Sequence, residues 1–483
     1  MTMESATNAG HTTLIAGGTV VNAEGFVRAD VLVRGERIVG IGVEQAWDAD
    51  ETIDATGKYI LPGGIDVHTH LEYPIDGFTT RTADDFATGS VAAAFGGTTT
   101  FIDFVKKRPD ASLFDTFVER RSIAESKSVV DFGLHAIVPP LVQQPDVHDD
   151  LVRLFTEQGV SSWKFFMAYP GTQMVEDDEL LAGMDLALKL GAFPMVHAEN
   201  GHMVNRAAQQ LLDEGKTAEI HHVDAHGHSQ EAEAVHRAIV LAAEVGTPLY
   251  VVHVSSEQAA AEIAAARSEG LPVWGETCPQ YLVTALEDYQ ELGERAAGYI
   301  CSPPIRERAN QAALWKYLGA DGLSTLATDH AAFCMEQPED LPPQKLRSPG
   351  YFPKTPNGVP GLEDRMMVAW EAGVVGGALD LCRFVEITAA RPAKLFGMYP
   401  NKGTISVGAD ADIVVWDPEA DHTITAAGGH SRTDYNLYEG MRVSGLPVTV
   451  MSRGRTLILD RELQEVARTT RGRYLSRGAA QLF

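Results

Sequence analysis

Residues 61–70 read LPGGIDVHTH, a short strand-like run that ends in two histidines. The apolar side chains of Ile65 and Val67 alternate with polar ones, which is the pattern of a β-strand. Residues two apart in a strand project to the same side, so His68 and His70 are expected to face a common point. Two converging imidazoles are suited to bind a divalent metal ion. The sequence therefore predicts a metal site at the end of this strand.

Between about residues 60 and 400, short apolar runs alternate with helix-like stretches. The runs are TTTFIDFV, DFGLHAIV, SSWKFFMAY, FPMVHAEN, PLYVVHVSS, LPVWGETCP and LSTLATDH. This alternation predicts an α/β protein with βα units around a parallel sheet. We expect a (β/α)8 barrel of the TIM type, since roughly 340 residues are within the size range of that fold. A doubly wound open sheet is the alternative, disfavoured because no GxGxxG turn follows the first strand.

The two ends of the chain have a different pattern, with short β-like runs separated by glycines. These runs occupy residues 12–58 and return at 403–460. They predict a second, small β-sandwich-like domain built from both chain ends. The expected division is 1–58 and 403–470 for the β-domain, 59–402 for the metal-dependent catalytic barrel, and 471–483 for a tail.

Composition places the 483-residue chain among globular proteins, with 45% hydrophobic and 22% charged residues. No stretch approaches the roughly 18 apolar residues of a membrane span, and the first residues, MTMESATNAGHTT, do not resemble a secretory signal. The 39 basic and 66 acidic residues give a formal charge of −27, which disfavours nucleic acid as a partner. The four cysteines lie too far apart for a disulfide framework, so we expect a reduced, cytoplasmic protein.

Residues of metal-binding type occur at the ends of several apolar runs. Lys164 lies in SSWKFFMAY, His197 in FPMVHAEN, His253 in PLYVVHVSS and Asp329 in LSTLATDH. The C-terminal ends of barrel strands share one face, so these side chains and the HTH pair are expected to converge. Each residue alone has an ordinary structural explanation, such as a buried histidine or a helix cap. All of them together at strand ends favour a metal centre over coincidence.

The order HxH, Lys, His, His, Asp resembles that of the amidohydrolase superfamily, in its subgroup with two metal ions and a carboxylated lysine. Within it, the chain is most similar to the dihydropyrimidinase and hydantoinase family. The matching stretches run from about residue 55 to 442 and include PGGIDVHTHLE, FGGTTTFIDF, KFFMAY, VHAENG, HVSS, GETCPQYL, CSPPIR, ATDH, PNGVPGLEDR and DYNLYEGM. Several of these stretches together are specific to this family.

The resemblance implies a centre of two divalent metal ions, with zinc expected. It implies six ligands, which are His68, His70 and Asp329 on one ion, His197 and His253 on the other, and Lys164 bridging both. The lysine would act as a carbamate, formed from CO2 and the neutral amine. Burial inside a barrel favours the neutral amine, and carbamylation turns it into an anionic bridge with two oxygen atoms.

The implied reaction is hydrolysis of the ring amide of 5,6-dihydropyrimidines or 5-substituted hydantoins to N-carbamoyl amino acids. The nucleophile would be a hydroxide held between the two metal ions. Asp329 would take its proton and pass it to the leaving nitrogen, while Tyr169 would polarise the substrate carbonyl. Ser302 in CSPP and Asn357 in PNG match positions that hold the ring amide. The expected partner is a small cyclic ureide.

Two related cyclic amidases, a dihydroorotase and an allantoinase, are alternatives within the same enzyme class. Dihydroorotases carry an arginine two residues after HxH that holds a carboxylate, whereas this chain has Glu72 there, whose charge is expected to disfavour a carboxylate substrate. The alternative from another class is a non-enzymatic scaffold of the collapsin response mediator type, which shares the fold but has lost metal ligands. All six ligand positions are filled here, which favours the enzyme. The resemblance also implies a homotetramer, to which the tail is a candidate contributor.

The loop after HTH, LEYPIDGFTTRTADDF, differs from the short glycine-containing loop expected in the family. Tyr73, Phe78 and Arg81 in the segment 72–82 are therefore predicted to set the preference for the ring substituent.

Other histidines are given structural roles. The run HHVDAHGHSQ, from His221 to His228, is predicted to be a solvated loop and not a metal tract, with His222 or His228 near the mouth of the site at most. His330 is expected to point away from the site, and His135 is expected to lie in the core.

Overall fold

The computed structural model describes residues 10–43, 47–75, 80–142, 144, 146–336, 338, 340–342 and 344–482. Short strands precede the barrel: β1 (Thr12–Ala16), β2 (Thr19–Asn22), β3 (Gly25–Arg28), β4 (Asp30–Arg34), β5 (Arg37–Gly42), β6 (Glu51–Asp54) and β7 (Tyr59–Pro62). Gly35, with φ of 57°, lies in the turn between the antiparallel strands β4 and β5, and Gly17, with φ of 79°, lies in the connection from β1 to β2. L side chains rarely adopt such values.

The central sheet in the described ranges has eight strands. They are β8 (Gly64–Thr69), β9 (Thr98–Val105), β10 (Asp131–Ile137), β11 (Ser162–Phe166), β12 (Phe193–His197), β13 (Leu249–Val251), β14 (Val273–Thr277) and β15 (Thr325–Leu326). Each strand pairs in parallel with the next along the chain. Every side chain of β9, TTTFIDFV, is buried, because a parallel sheet of this kind is covered on both faces.

The barrel closes between β8 and the segment that follows β15. Thr69 forms a parallel bridge with His330. A carboxylate oxygen of Asp66 accepts a hydrogen bond from the backbone N–H of Thr328 at 3.2 Å, and the other accepts one from its hydroxyl at 2.7 Å. The closed sheet with its outer helices is the predicted (β/α)8 barrel. Closure brings the HTH and ATDH motifs side by side.

Helices pack outside the barrel strands. In the described ranges they are α1 (Phe86–Phe95), α2 (Leu113–Lys127), α3 (Asp146–Gln158), α4 (Asp177–Leu190), α5 (Gly201–Asp213), α6 (His221–Ala225), α7 (His228–Val245), α8 (Glu257–Ser268), α9 (Pro279–Val283), α10 (Leu286–Tyr289), α11 (Gln311–Gly319), α12 (Arg365–Ala369), α13 (Leu381–Val385), α14 (Arg391–Leu395) and α15 (Glu465–Thr469). The 3-10 turns span Gly293–Tyr299, Arg308–Asn310, Phe352–Lys354 and Ala426–Gly428, and π turns span Trp370–Val375 and Glu386–Ala390. None of the helices in these ranges has the length and apolar character of a membrane span.

Two further sheets lie outside the barrel. One combines strands from both chain ends, and the other is formed by N-terminal strands. The C-terminal strands are β16 (Ile413–Thr423), β17 (Arg442–Ser452), β18 (Arg455–Leu459) and β19 (Glu462–Leu463). They join β7, β2 and β3 in one sheet, and β5, β4, β1 and β6 form the other. One apolar cluster includes Ile15 and Val31 from one sheet and Ile60 and Met451 from the other. The second β-domain is therefore confirmed, while its predicted boundaries stay predictions, with β7 at 59–62 paired inside this domain.

The tail packs against its own barrel. Tyr474 forms a parallel bridge with Phe132 of β10. The buried Arg477 guanidinium donates to the carbonyl of Leu134 at 2.6 Å and to the hydroxyl of Ser162 at 2.7 Å. These contacts lie on β10 and at the start of β11. A contribution of the tail to assembly stays a prediction.

A buried charge cluster joins the barrel to the β-domain. The Nζ atom of Lys402 lies 2.6 Å from a carboxylate oxygen of Asp131 and 2.6 Å from one of Asp412. The Nε atom of Arg453 lies 2.9 Å from Asp131. Burial alone would raise the pKa of Asp131, but Lys402 and Arg453 hold that pKa well below its usual value. The cluster therefore favours ionised Asp131 in the folded protein.

We expect Lys402→Met to cost about 3–5 kcal/mol of folding free energy, because it leaves the buried Asp412 without its cation and Asp131 with Arg453 alone. The folded pKa of Asp131 lies below its unfolded value. Its contribution is therefore complete above the unfolded pKa and is lost as the pH falls through the folded one. Thermal unfolding midpoints should differ most between wild type and variant at pH 7, and the gap should narrow towards about pH 3. Lys316→Met, at an exposed helix position, is the control, and equal midpoints for the two variants would contradict this account.

Candidate active site

The C-terminal ends of the barrel strands surround a cavity of about 370 Å³, the main cavity. Eight of the nine predicted site residues line it, namely His70, Lys164, Tyr169, His197, His253, Ser302, Asp329 and Asn357. The ninth, His68, is fully buried, and its ring centroid lies 5.3 Å from that of His70 and 5.4 Å from that of His253. The fold thus gathers all nine residues in one place.

Strand geometry explains this convergence. His68 is on β8, Lys164 is on β11 and His197 is the last residue of β12. His253 follows the end of β13 by two residues, and Asp329 follows the end of β15 by three. Because parallel strands of a barrel point their C-terminal ends to one face, residues far apart in sequence meet there.

Asp329 and Lys164 both contact the HTH histidines. The Oδ1 atom of Asp329 lies 3.2 Å from Nε2 of His68 and 3.2 Å from Nε2 of His70. The Nζ atom of Lys164 lies 2.9 Å from the same Nε2 of His68. Ligand atoms of His68, His70 and Asp329 all lie within 4.8 Å of one another, which is close enough for a single ion to contact all three.

Burial sets the protonation of these groups. It lowers the pKa of His68, His70 and His253, which favours neutral imidazole, the form that binds metal. It also lowers the pKa of Lys164 to about 8, which enlarges the neutral fraction of the amine. Burial would raise the pKa of Asp329, but the neighbouring histidines hold it well below its usual value, so the carboxylate stays ionised.

The donor set fits a pair of divalent ions. The rings of His197 and His253 lie 4.5 Å apart, beside the group formed by His68, His70 and Asp329. The Nδ1 atoms of His70 and His253 are buried and have no hydrogen-bond partner among the described residues. A buried polar atom without a partner is costly, and histidine nitrogen is a favoured zinc ligand. The side chains present therefore suit the metal centre that the resemblance implies.

Two buried glutamates that the sequence analysis missed contact the histidines. An oxygen of Glu276 lies 2.6 Å from Nδ1 of His68 and accepts from the backbone N–H of His253 at 3.0 Å. An oxygen of Glu199 lies 2.9 Å from Nε2 of His197. Such carboxylates fix the orientation and tautomer of metal-binding imidazoles. Glu276 lies in GETCP and Glu199 in VHAEN, both near strand ends. Their position near strand ends is the feature of the sequence from which they could have been predicted.

The three predicted substrate residues form one hydrogen-bonded group. The hydroxyl of Tyr169 is hydrogen-bonded to Ser302 and Asn357. The side-chain amide of Asn357 donates to the hydroxyl of Ser302 at 2.9 Å. Burial and the nearby Glu199 raise the pKa of Tyr169, so its hydroxyl keeps its proton and remains a donor.

Three site residues have strained backbones. Tyr169, His253 and Asp329 have φ of 64°, 39° and 51°, in the left-handed region. For residues with a Cβ atom this conformation costs about 1–3 kcal/mol each, so it persists only where the surroundings enforce it. Strain of this kind clusters at functional sites, since it sets where each side chain emerges from the loop.

The prediction that the histidine-rich run is a solvated loop was wrong, although His222 does lie at the site. Residues His221–Ala225 form α6, and both His222 and His226 are buried and line the main cavity. The Nδ1 atom of His226 lies 2.8 Å from Glu199, and Nε2 of His222 lies 2.9 Å from the carbonyl oxygen of Cys301. A polar run cannot reveal that such partners lie beside it in the fold.

His330 and His135 take structural roles, as predicted. The Nε2 atom of His330 lies 3.1 Å from Asp84, and its Nδ1 accepts from the backbone N–H of Gly361 at 3.2 Å. His135 is fully buried, with Nε2 3.0 Å from the carbonyl oxygen of Val67. Neither side chain lines the main cavity.

Of the three residues predicted to set the substituent preference, one is found to line the main cavity. Tyr73 lines the main cavity, whereas Phe78 lies outside the described residues. Arg81 does not line it, and its guanidinium lies 3.6 Å from Glu72. Lys127 also donates to Glu72, at 2.8 Å. Glu72 is thus paired with cations away from the cavity lining, so it does not disfavour a carboxylate on the substrate.

Comparison with known proteins gives evidence of the chain's family that does not depend on the geometry of the site. Residues 59–457 match the model of the amidohydrolase family. The D-hydantoinase of Streptomyces coelicolor is 43% identical over 474 residues, which cover 97% of this chain and 98% of that protein. The D-hydantoinase of Geobacillus stearothermophilus is 42% identical over 466 residues, or 96% of each chain. The crystal structure of dihydropyrimidinase from Brevibacillus agri matches with a TM-score of 0.92 at 42% identity, covering 97% of this chain and 99% of that one.

Proposed function

This chain belongs to the amidohydrolase family, and we infer that it is a cyclic amide hydrolase of the hydantoinase and dihydropyrimidinase type. Its substrates are 5,6-dihydropyrimidines or 5-substituted hydantoins. Water adds to the carbonyl carbon of the ring amide and the ring C–N bond breaks. The oxygen stays on carbon as a carboxylate, the nitrogen leaves with a proton, and the product is an N-carbamoyl amino acid.

The observation that carries this inference is the composition of the main cavity. Histidines, a carboxylate and a lysine suited to bind metal line part of this cavity. The group of Tyr169, Ser302 and Asn357 lines another part of the same cavity. A cavity of about 370 Å³ is at the small end of ligand pockets, which suits a five- or six-membered ring with a modest substituent. Full-length similarity to hydantoinases supports the same reaction.

Lys164 is proposed to act as a carbamate. The neutral amine attacks CO2 to form an N–C bond, and one amine proton leaves to solvent. Two features favour this reaction, namely full burial of the side chain and a pKa lowered to about 8. Loss of solvation in the buried site disfavours the ammonium form. This effect outweighs the attraction of a cation to the rings of Phe104 and Phe166, whose centroids lie 4.4 and 4.9 Å from Nζ.

Two divalent ions, with zinc expected, would be held by the six predicted ligands. His68, His70 and Asp329 would hold one, His197 and His253 the other, and the Lys164 carbamate would bridge them. When bound, such ions lower the pKa of water to about 7 and polarise a carbonyl oxygen.

The chain's own residues would then carry the proton and hold the ring. The ionised carboxylate of Asp329 would accept the proton of the attacking water and return it to the ring nitrogen as the C–N bond breaks. The protonated hydroxyl of Tyr169 would donate a hydrogen bond to the carbonyl oxygen as negative charge develops on it. Ser302 and Asn357 would fix the ring amide, so that the scissile carbonyl faces Asp329.

We also propose that the enzyme is a cytoplasmic homotetramer. The support for the assembly is the family resemblance. The support for the compartment is that all four cysteines are free thiols, which suits a reducing environment. Light scattering coupled to size-exclusion chromatography tests the tetramer, and a mass near the 52.2 kDa of one chain would reject it.

A substrate panel tests the proposed reaction. We expect the metal-replete enzyme to open dihydrouracil and hydantoin and to release N-carbamoyl-β-alanine and N-carbamoylglycine, each identified by mass spectrometry. Incubation with a chelator should abolish turnover, and added zinc should restore it. Dihydroorotate and allantoin serve as controls for the two related activities. Faster opening of either control than of both expected rings would reassign the enzyme.

A further inference from the structure

A second cavity, of about 340 Å³, adjoins the main one. Its lining includes three consecutive cations, Lys106, Lys107 and Arg108, together with Thr172 and Gln173, and we call it the basic cavity. The cations follow directly after β9, and the lining continues with residues at the end of β10. The basic cavity therefore lies over the same C-terminal face of the barrel as the main cavity.

The charge of the basic cavity is opposite to that of the protein. The chain has a formal charge of −27, yet the described lining of this cavity holds three basic and no acidic side chains. Arg108 is paired with Glu119 and lies 3.3 Å from Asp110. Lys107 is half-buried and has no acidic partner among the described residues. An anion in the cavity would thus meet a lysine whose charge is not already offset.

The two cavities share a wall. Thr172 and Gln173 line both of them, and Tyr169, the residue that is to contact the scissile carbonyl, lies three positions before Thr172. The side-chain Oε1 of Gln173 is buried without a hydrogen-bond partner in the described ranges. A substituent that extends from the ring past this wall would reach the lysines.

We propose that the basic cavity binds a carboxylate on the ring substituent of the substrate, so that the enzyme prefers 5-(carboxyalkyl) rings over neutral rings of the same size. The proposal rests on the proposed function and names a substrate class for it. Glu72 does not oppose such a substrate, because it is paired with Lys127 and does not line the main cavity. The carboxylate released by ring opening forms beside Asp329, so it does not explain cations beyond the Thr172–Gln173 wall.

Matched substrates separate charge from size. 5-(2-Carboxyethyl)hydantoin and 5-(2-carbamoylethyl)hydantoin have nearly the same shape, and only the first is anionic at pH 7. We expect wild type to have a higher kcat/KM for the anionic ring than for the neutral one, because its KM for the anionic ring is lower. Screening by 0.5 M NaCl should largely remove this preference. Lys107→Met should raise KM for the anionic ring by roughly 2–5-fold, the value of a partly exposed ion pair, and leave the neutral ring unchanged.

Two further variants sharpen the experiment. Lys107→Arg keeps the charge and should keep the preference. Lys189→Met removes a lysine at an exposed position in the last turn of α4 and should change neither substrate. Equal use of the two substituted rings by wild type would overturn the proposal, as would equal effects of Lys107→Met on both. A Lys107→Met variant with weaker inhibition by N-carbamoylglycine and unchanged ring preference would assign the cavity to the product instead and overturn it too. No opening of any ring, unsubstituted hydantoin included, would instead mean that the proposed function has failed.

Discussion

Replacing Lys164 with alanine is expected to remove both metal ions and to reduce turnover to background. Two divalent ions would bring four positive charges into a buried site, and histidine binds metal as an uncharged ligand. Asp329 and the Lys164 carbamate are the proposed anionic ligands, so the variant leaves Asp329 as the one anionic side chain that binds the ions directly. Loss of the bridge also removes a ligand from each ion. Metal content by plasma mass spectrometry and kcat on hydantoin should therefore fall together.

A rescue experiment distinguishes a missing ligand from a damaged fold. Deleting the side chain leaves a space beside His68 that acetate or formate can enter, since both carry two oxygen atoms like the carbamate. Added carboxylate and zinc should restore part of the metal content and part of the activity of Lys164→Ala. Lys189→Ala, at an exposed position, should behave as wild type. A Lys164→Ala variant that retains two ions per chain and normal turnover would rule out the bridging role.

The convergence of the candidate metal ligands could be predicted, because each candidate can be placed from the short stretch of sequence around it. A strand places alternate residues on one side, and a barrel turns all its strand ends to one face. HTH, Lys164 and VHAEN are therefore sufficient to predict convergence without knowing which strands are neighbours. The presence of a second, β-rich domain could also be predicted, since glycine-punctuated runs differ from strand–helix alternation. The pairing of strands in the β-domain could not be predicted from the sequence, because β7 pairs with β16 across about 350 positions.

The residues around the ligands could not be predicted, because their roles depend on neighbours that only the fold supplies. Glu276 reaches His68 across 208 positions of sequence. His226 is buried with Glu199 2.8 Å away, although it lies in a histidine-rich run of the sequence. Glu72 suggested a charge barrier in the sequence, but in the fold it is paired with Lys127. In each case an ionisable side chain has a partner contributed by a different part of the chain.

Asp329→Asn is expected to lower kcat by about 10²–10⁴-fold, the usual contribution of a positioned acid–base group. Asparagine has nearly the same size and keeps an oxygen atom near His68 and His70. Its amide cannot accept a proton from the attacking water or return one to the ring nitrogen. The residues that hold the ring, Ser302 and Asn357, are untouched, so KM should stay within a few-fold of wild type.

The split between kcat and KM decides what Asp329 does, provided that metal content is measured on the same sample. A variant with both ions bound, unchanged KM and slow turnover has lost proton transfer, whereas a raised KM with unchanged kcat would mean that Asp329 binds substrate equally in ground and transition states. Asp110→Asn, on an exposed side chain, controls for the lost charge and should retain wild-type kinetics. Wild-type kcat in a metal-replete Asp329→Asn enzyme would exclude Asp329 as the proton carrier. Asp329 is the acidic residue that lines the main cavity in the described part of the chain, so the proton would then have to pass through a neighbour such as His253.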